Sequence, residues 1–385
     1  DDDTDYDEYT ETEGYINNIS TDTKSLLELA KYKYPSITLN YHYRSLYEEL
    51  INFSNYAFYN GKMEVIPNKE RRDNHSPIER IMVDGRWIDR RNIKEAEEVV
   101  SIVKKVLINR EKGETIGIIT FNSNQRDCIE ELLEREMKSD IEFGVLYKKE
   151  LNRLERSEYK GIFIKNIENV QGDERDIIIF SIGYARNEED RVVRQFGTLT
   201  TKSGENRLNV AISRAKEKIY VVTSIEPEEL GYVDNLSKGA ILLKKYLQYV
   251  RAVSNNDDKE AKEILYSLDT IEKTERDIIH FDSPFEEEVY DALIKAGFDV
   301  YTQVGTSSYR IDMAIYDEEK SEYILGIECD GATYHSSRYA RERDMYRQRF
   351  LESRGWTIHR IWSRDWWKNK QKEIEKIKMR VEQLK

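Results

Sequence analysis

The sequence has few of the features that define secreted and membrane proteins. It contains two cysteines and five prolines in 385 residues, and no apolar run approaches the roughly 18 residues that a membrane span needs. Cys128 and Cys329 are far apart and no signal-like segment precedes the fold, so we expect a reducing, cytoplasmic environment without a disulfide. With 39% hydrophobic and 35% charged residues, the composition is that of a globular protein, and its length favours two domains.

The net charge of -13 is distributed unevenly along the chain. Residues 1–16 hold eight acidic residues and no basic one, which predicts a solvated, flexible segment over residues 1–35. Because the chain also begins at Asp1 without an initiator Met, we expect a piece of a longer protein. A pI near 5.2 argues against a nucleic-acid partner, but Gly331–Lys385 holds fifteen basic and seven acidic residues, so the bulk charge is a poor guide.

Short β-branched runs alternate with helical segments over residues 36–250, which predicts a doubly wound α/β domain around a parallel sheet. The runs DIIIFSI and KIYVVTS are apolar on both faces, as central parallel strands are. Asn92 with Glu95, and Ser45 with Glu48, have the spacing of helix-capping boxes. The predicted strands are Ser36–Leu39, Thr115–Thr120, Gly161–Lys165, Asp176–Ile182 and Lys218–Ser224.

A polar, helix-prone stretch over residues 251–280 predicts a linker, and residues 281–385 predict a small α+β module in the order αβββαβα. Four of the five tryptophans fall in the last thirty residues, and we interpret most of them as core residues of this module. Tyr339, Tyr346 and Phe350, at spacings of seven and four, are predicted to form the buried stripe of its basic helix. The predicted elements are a helix from Ser283 to near Gly297, strands around Asp299–Val304, Tyr309–Tyr316 and Tyr323–Asp330, a helix over Arg338–Ser353, a strand Thr357–Trp362 and a final helix.

Three segments within residues 36–250 carry a specific pattern: LNYHYRS, KNIENVQGDERDIIIFS and RLNVAISRAKEKIYVV. Together with IGIITFNSNQ, and in this order, they resemble motifs IV to VI of superfamily 1 helicases, nearest to the Upf-like group. The resemblance implies a second RecA-like lobe, preceded by an acidic segment between lobes over residues 1–35. The sequence contains no G-x-x-x-x-G-K-[ST] phosphate loop, which in the family lies on the first lobe. We therefore expect ATP to bind only together with that absent N-terminal lobe, and this chain alone to hydrolyse none.

The resemblance also assigns residues to the nucleotide. They are Arg44, Gln171, Gly172, Glu174 and Arg214. Planar guanidinium groups suit the charge of a γ-phosphate, and the resemblance gives this role to Arg44 and Arg214. It implies that Gln171 and Gly172 sense the γ-phosphate and that Glu174 lies near the ribose. The alternatives are a surface ion pair for Arg44 and pairing with Glu217 for Arg214.

Paired carboxylates mark the C-terminal module. A hairpin centred on Lys320 would place Asp312 and Glu328 directly opposite each other, with Cβ atoms roughly 4.5–5.5 Å apart. Asp330 would share the face of Glu328. Acids on one face repel each other unless a cation lies between them, and oxygen ligands suit Mg²⁺ or Mn²⁺. The alternative is a solvated hairpin face whose acids pair with Arg310.

Segments YRIDMAIY and LGIECDGATYH, after the helix of SPFEEEV, resemble the PD-(D/E)XK nuclease fold, and more narrowly the branch near the very-short-patch-repair (Vsr) endonucleases. The resemblance implies that Asp312 and Glu328 bind the metal, that Glu286 reaches it through water, and that His335 transfers a proton. Asp330 stands where the general pattern has a lysine. Helix capping from Ser283 would equally explain Glu286, and a structural role His335.

The sequence thus favours the C-terminal part of a helicase–nuclease, a Mg²⁺-dependent DNA endonuclease for DNA processing, repair or defence against foreign DNA. A second hypothesis is a nucleic-acid-binding module with an inactive nuclease site, for which Asp330 in the lysine position is the best support. A third makes RNA the partner, because of the Upf-like lobe.

Overall fold

Two β-sheets organise the chain from residue 41 to residue 385. The computed structural model describes residues 30, 34–35, 37, 40–69, 76–110, 112–192, 196–201, 204–231, 237–268, 281, 283–305, 309–330 and 338–385, with the backbone alone over 338–344. Tyr41–Lys385 forms one compact unit and Asp1–Asn40 another. In the latter, the N–H of Tyr34 donates to the carbonyl oxygen of Ala30 at 2.8 Å. The acidic residues 1–16 and most of the predicted strand Ser36–Leu39 lie outside the described residues.

The first sheet confirms the predicted doubly wound α/β architecture. Its strands are β1 (Ile78–Met82), β2 (Ile116–Thr120), β5 (Phe163–Asn166), β6 (Arg175–Ser181) and β7 (Ala215–Thr223). All pair in parallel, in the order β1-β7-β6-β2-β5. A separate short hairpin joins β3 (Leu154–Glu155) to β4 (Glu158–Tyr159). Strand β2 is buried throughout, as a central parallel strand covered on both faces should be.

Helices cover both faces of this sheet. They are α1 (Glu49–Tyr59), α2 (Ile93–Asn109), α3 (Ser123–Ser139), α4 (Ile141–Leu151), α5 (Glu205–Ile212), α6 (Lys238–Ser254) and α7 (Asp258–Tyr266). Helices α1, α5, α6 and α7 pack on the face that carries Phe180 and Val221. Helices α2, α3 and α4 pack on the face that carries Ile118 and Ile179. Since α7 belongs to the first of these cores, residues 258–266 of the predicted linker pack with the parallel sheet.

Two local predictions had different outcomes. The Asn92 cap is confirmed, because its side chain accepts a hydrogen bond from the N–H of Glu95 at 3.2 Å. The Ser45 cap is wrong: helix α1 begins at Glu49, and the Ser45 hydroxyl donates instead to the carbonyl oxygen of Ala215 at 3.0 Å. Ser45 therefore holds the preceding loop against the start of β7 rather than opening a helix.

The second sheet has four strands, and its element order agrees with the predicted αβββαβα. The elements are α8 (Pro284–Lys295), β8 (Val300–Val304), β9 (Ile311–Asp317), β10 (Glu322–Asp330), α9 (Arg338–Ser353), β11 (Ile358–Trp362), α10 (Ser363–Lys368) and α11 (Lys370–Leu384). The strand order is β11-β10-β9-β8. Only the pair of β10 and β11 is parallel, and the final helix is divided in two.

Different elements pack on the two faces of the second sheet. Helices α8, α10 and α11 pack on one face around Trp366. The other face carries Trp356 and Leu351 and packs against Ile66 of the connecting segment, which we define as residues 62–69. The indole N–H of Trp356 donates to the carbonyl oxygen of Pro67 at 3.0 Å. Among the described helices, none has the length and apolar character that crossing a membrane requires.

Candidate functional site

The hairpin of β9 and β10 brings Asp312 opposite Glu328. Met313 pairs with Ile327, and continuing this register by one residue sets Asp312 against Glu328. Nearer the turn, Tyr316 pairs with Tyr323, so the register shifts between Tyr323 and Leu325. A bulge inserts one extra residue in β10 between Tyr323 and Leu325. Because of this extra residue, the register around Asp312 and Glu328 is the one predicted for a hairpin centred on Lys320.

We call Glu286, Asp312, Glu328 and Asp330 the carboxylate cluster. Asp312 is half-buried, and its Oδ2 accepts a hydrogen bond from the main-chain N–H of Cys329 at 2.8 Å. Burial raises the pKa of Asp312, the hydrogen bond from Cys329 opposes this, and the negative charges of Glu286 and Glu328 add to it, so that the pKa is about 7. Because such repulsion acts only between charges that are close together, Glu286, Asp312 and Glu328 lie near one another.

Two arginines hold the carboxylate of Glu328. This side chain is buried, and its Oε2 accepts a hydrogen bond from Arg360 at 3.0 Å while its Oε1 pairs with Arg347. The guanidinium of Arg347 also donates to the carbonyl oxygen of Arg310 at 2.6 Å. Glu328 is therefore not part of a solvated face, and its partners come from α9 and β11 rather than from the hairpin itself.

The other predicted acids have defined surroundings. Asp330 pairs with Arg360 at 3.1 Å between Oδ2 and Nε. Glu286 is buried, and its Oε1 accepts a hydrogen bond from the Ser283 hydroxyl at 3.0 Å. Its Oε2 accepts one from Gln303 at 3.3 Å, so Glu286 both follows the helix cap and faces the cluster. The predicted His335 lies outside the described residues.

The donor chemistry of the cluster suits a divalent cation only in part. Asp312 offers carboxylate oxygens in a place where positive charge would offset the repulsion from Glu286. Both oxygens of Glu328, however, are held by guanidinium groups. In the described ranges, no group of three or more His, Cys, Asp or Glu side chains is placed to hold a metal ion. A cation shared by Asp312 and Glu328 would therefore have to displace an arginine.

Arg44, Glu174 and Arg214, which were assigned to a nucleotide, lie near one another beside the amino ends of β6 and β7. Arg44 donates from Nε to Glu174 Oε2 at 2.8 Å, and Lys216 lies 2.9 Å from Glu174 Oε1. Burial opposes ionisation of Glu174, but the hydrogen bonds from Arg44 and Lys216 outweigh it and lower its pKa to about 2. We call Arg44, Glu174, Arg214 and Lys216 the arginine cluster.

Arg214 is fixed by oxygen atoms of the chain rather than by Glu217. Its Nε donates to the carbonyl oxygen of Val210 at 2.7 Å, and its other nitrogens donate to Asp173 O at 3.3 Å and Ser213 Oγ at 2.9 Å. Burial and the nearby charge of Arg44 lower the pKa of Arg214, so the two guanidinium groups lie close enough to repel each other. Two guanidinium groups that lie near each other have the charge and planar donors that an anion can accept.

Gln171 and Gly172 occupy the turn that leads into β6, three and two residues before Glu174. Both are exposed. Gly172 has a φ of +90°, and no atom lies within 4 Å of the position that a Cβ would take. The turn needs glycine for its backbone conformation, and the open space beside it leaves room for a ligand.

Helix α9 and the residue after it contact the carboxylate cluster and the segment before Arg44. Arg347 of α9 pairs with Glu328, while the Phe350 ring packs on the Tyr41 ring with centroids 4.2 Å apart. Arg354, which follows α9, donates to the carbonyl oxygen of Tyr43 at 2.8 Å. The residue after Tyr43 is Arg44, so these contacts hold the segment that leads to the arginine cluster.

Sequence reasoning missed three partners. Lys216, Arg360 and Gln303 all contact predicted site residues, yet each comes from a different strand. Arg360 could have been found from the sequence. It is a basic residue in the predicted strand that pairs in parallel with β10, and its position two residues before Trp362 puts it on the face of the carboxylates. Tyr346 was wrongly predicted as buried; it is 69% exposed, and Leu351 packs in its place.

Comparisons with known protein families match two separate regions of the chain. The AAA domain family AAA_12 matches residues 22–226, and the family REase_MTES_1575 matches residues 285–381. Two relatives named uncharacterized ATP-dependent helicases, from Mycoplasma pneumoniae and Mycoplasma genitalium, are each 32% identical over 92% of this chain. The chain spans only 30% and 31% of their lengths.

Among solved structures, the C-terminal domain of a possible DNA helicase from Lactobacillus plantarum WCFS1 is 16% identical over 53% of this chain and 96% of its own. Its TM-score of 0.27 is too low to establish a shared arrangement.

Proposed function

The chain belongs to the AAA domain family AAA_12 and carries a restriction-endonuclease-like domain, and on this premise we propose that it is the C-terminal part of a superfamily 1, Upf-like helicase fused to a metal-dependent DNA endonuclease of the Vsr-like type. The relatives that are named ATP-dependent helicases support the helicase half. A first RecA-like lobe in the longer protein would complete the ATP site.

The observation that carries the nuclease half is the position of Asp312 opposite Glu328, with Glu286 beside them, at one end of a buried hairpin. Burying carboxylates close together is unfavourable, and such arrangements are found at functional sites. A site that cleaves phosphodiesters would use these carboxylates to bind a metal ion. Asp312 and Glu328 would hold Mg²⁺ or Mn²⁺. When bound, such an ion supplies Lewis acidity and a water of lowered pKa.

The chain's own residues would hold the substrate. Arg347 and Arg360 already bind carboxylate oxygens and have the planar donor geometry that phosphate oxygens also accept. If a cation takes over Glu328, one of these arginines becomes free to bind the phosphate next to it. DNA is the proposed substrate, because the endonuclease-like domain resembles DNA-processing enzymes.

The arginine cluster would serve the ATP half. Arg44 and Arg214 lie together beside the open turn of Gly172, where a γ-phosphate could accept from both. Glu174 pairs with Arg44 at 2.8 Å, and a phosphate would compete with it for this guanidinium. The proposal gives this lobe half of a nucleotide site and part of a nucleic-acid track.

The test of the nuclease half is nicking of supercoiled plasmid by the purified chain with Mg²⁺ or Mn²⁺. We expect nicked product from the chain and none from Asp312→Asn. The matched control is Glu319→Gln, a carboxylate change on the exposed turn of the same hairpin, which should cut normally. Equal nicking by chain and Asp312→Asn would remove the assignment, and a parallel assay on RNA of equal length tests the choice of DNA.

A second candidate is a nucleic-acid-binding module with an inactive nuclease site. The observation that favours it is that Arg347 and Arg360 occupy both oxygens of Glu328, while Asp330 stands in the lysine position and also pairs with Arg360. Calorimetry with Mn²⁺ separates the two candidates. Binding that is lost in Asp312→Asn supports the enzyme, whereas tight DNA binding without Mn²⁺ binding supports the module.

A further inference from the structure

Gln303 lies directly opposite Asp312 in the second sheet. The antiparallel pairs of β8 and β9 on either side of these two residues are Thr302 with Met313 and Val304 with Ile311. The register therefore sets Gln303 against Asp312, and directly opposed residues have Cβ atoms about 4.5–5.5 Å apart. Since Glu328 is opposite Asp312 on β10, Asp312 has Gln303 as its neighbour on the other side.

The backbone of Gln303 has a conformation that is unusual within a strand. Its φ is +53°, in the left-handed region that residues with a side chain seldom adopt. Backbone conformations of this kind carry strain and are concentrated at active sites and ligand sites. The surrounding sheet therefore stabilises Gln303 in a strained position next to the carboxylate cluster.

The amide of Gln303 has one favourable orientation. Its Nε2 donates to Oε2 of Glu286 at 3.3 Å. An ionised carboxylate only accepts hydrogen bonds, so turning the amide over would place two acceptor oxygens against each other. The oxygen of the same amide, Oε1, is buried and has no hydrogen-bond partner among the described residues. Buried acceptors without a partner are rare in folded proteins, and beside carboxylates a bound cation can supply the interaction.

We propose that Oε1 of Gln303 is a ligand of the divalent cation at the carboxylate cluster, beside Asp312. Amide carbonyl oxygens, like carboxylate oxygens, are hard ligands that suit Mg²⁺ and Mn²⁺. Both oxygens of Glu328 are held by arginines, whereas Oε1 of Gln303 can bind a cation without displacing any described group. A neutral ligand also adds no further negative charge to carboxylates that already repel one another.

This inference rests on the proposed function, in that the cluster is taken as a site for Mg²⁺ or Mn²⁺. Its test is calorimetry of Mn²⁺ binding to the purified chain without nucleic acid. Gln303→Met removes the amide oxygen from a side chain of similar length. It should weaken Mn²⁺ binding by roughly tenfold or more, since even outer partners of a metal site contribute this much. Gln303→Glu keeps an oxygen at this position and should bind Mn²⁺ at least as tightly as the wild-type chain.

Ser283→Ala distinguishes a metal ligand from a residue that only holds Glu286. The Ser283 hydroxyl donates to the other oxygen of Glu286 at 3.0 Å, so this variant also removes one donor from that carboxylate. We expect Ser283→Ala to bind Mn²⁺ nearly as the wild-type chain does. Gln371→Met makes the same substitution at an exposed position of α11, and it should leave Mn²⁺ affinity unchanged.

Gln303→Asn separates the loss of a ligand from an effect on folding. Asparagine adopts positive φ more readily than most residues with a side chain, so this variant retains the backbone conformation. Its amide is one methylene shorter and withdraws the oxygen from the cluster. Mn²⁺ binding should therefore weaken in Gln303→Asn as it does in Gln303→Met.

Unchanged Mn²⁺ affinity in Gln303→Met and Gln303→Asn would overturn the proposal. So would binding by Gln303→Glu or Ser283→Ala that is as weak as binding by Gln303→Met, because Gln303 would then act only through Glu286. Each of these results can occur while the wild-type chain binds Mn²⁺ and Asp312→Asn does not, which leaves the nuclease assignment in place. A wild-type chain that binds no Mn²⁺ would instead contradict the proposed function, and the ligand role of Gln303 with it.

Discussion

Arg347 and Glu328 join helix α9 to the strand that carries the candidate catalytic acids. The same guanidinium reaches the carbonyl oxygen of Arg310, two residues before Asp312. One side chain thus contacts both strands of the hairpin. Helix α9 is thereby fixed beside the two carboxylates.

The first prediction concerns the stability of this pair. Arg347→Met retains the length of the side chain but leaves the buried Glu328 with one cationic partner, so we expect a loss of about 2–3 kcal/mol in the free energy of unfolding. Glu328→Gln should cost less in the Arg347→Met background than in the wild-type chain. Denaturant unfolding of both single variants and the double variant measures the coupling. Arg349→Met, an exposed neighbour on α9, is the control, and additive losses would contradict the pairing.

The second prediction concerns Glu95, a fully buried acid in α2. Its Oε2 accepts hydrogen bonds from the Gly183 N–H at 2.7 Å and the Ser181 hydroxyl at 3.0 Å, and its Oε1 accepts one from the Ser224 hydroxyl at 3.0 Å. Burial, which these hydrogen bonds only partly offset, raises the pKa of Glu95 to about 7. The folded state therefore binds the proton more tightly than the unfolded state does.

Because the pKa of Glu95 is raised in the folded state, its protonation adds to the free energy of unfolding. This contribution is fully present below the unfolded-state pKa and is lost as the pH rises through about 7. We expect the unfolding free energy of the wild-type chain to fall between pH 5 and pH 8 relative to Glu95→Gln, by an amount on the order of a few kcal/mol. Other groups titrate in both proteins, so the effect of Glu95 is the difference between the unfolding free energies of the wild-type chain and Glu95→Gln at each pH. Parallel curves would show that the carboxyl titrates normally.

The sequence predicted the elements of the second sheet closely, since apolar alternation and turn residues mark each strand. It also predicted that Asp312 faces Glu328, although the bulge that makes this true was not visible in the pattern. Strand β1 was not predicted: its five residues, IERIM, show no alternation, and its place is set by pairing with β7. The pairing of Glu328 with Arg347 could not be predicted, because Arg347 comes from a helix that packs on the sheet and nothing in the pattern sets where that helix lies.

The third prediction concerns the contact of the connecting segment with the second sheet. Trp356 donates to Pro67, stacks on Tyr323 with centroids 5.7 Å apart, and lies beside the hydrogen bond from the Tyr323 N–H to Lys69 O. Trp356→Phe removes the N–H donor and part of the buried ring, so it should cost at least about 1–2 kcal/mol of unfolding free energy, because the Pro67 oxygen loses its donor and the smaller ring leaves a gap.

Amide hydrogen exchange of Tyr323 measures the same contact locally. We expect faster exchange in Trp356→Phe, since loosening of Pro67 should also loosen the hydrogen bond to Lys69. Trp367→Phe alters an exposed tryptophan and should leave the Tyr323 amide unchanged. An unchanged Tyr323 amide in Trp356→Phe would mean that the connecting segment is held by other contacts.

The last prediction concerns ATP. The sequence contains no G-x-x-x-x-G-K-[ST] phosphate loop, so the purified chain should release no phosphate from ATP. In a longer protein that supplies such a loop, Arg214→Ala should lower kcat for ATP by about 10³-fold or more, because a guanidinium aimed at the γ-phosphate acts mainly in the transition state. Arg191→Ala, a loop arginine that is 80% exposed at its side chain, should leave kcat unchanged. Turnover by this chain that survives Arg214→Ala would contradict the assignment of the arginine cluster, because a half-site without its second arginine has no means of stabilising the transferred phosphate.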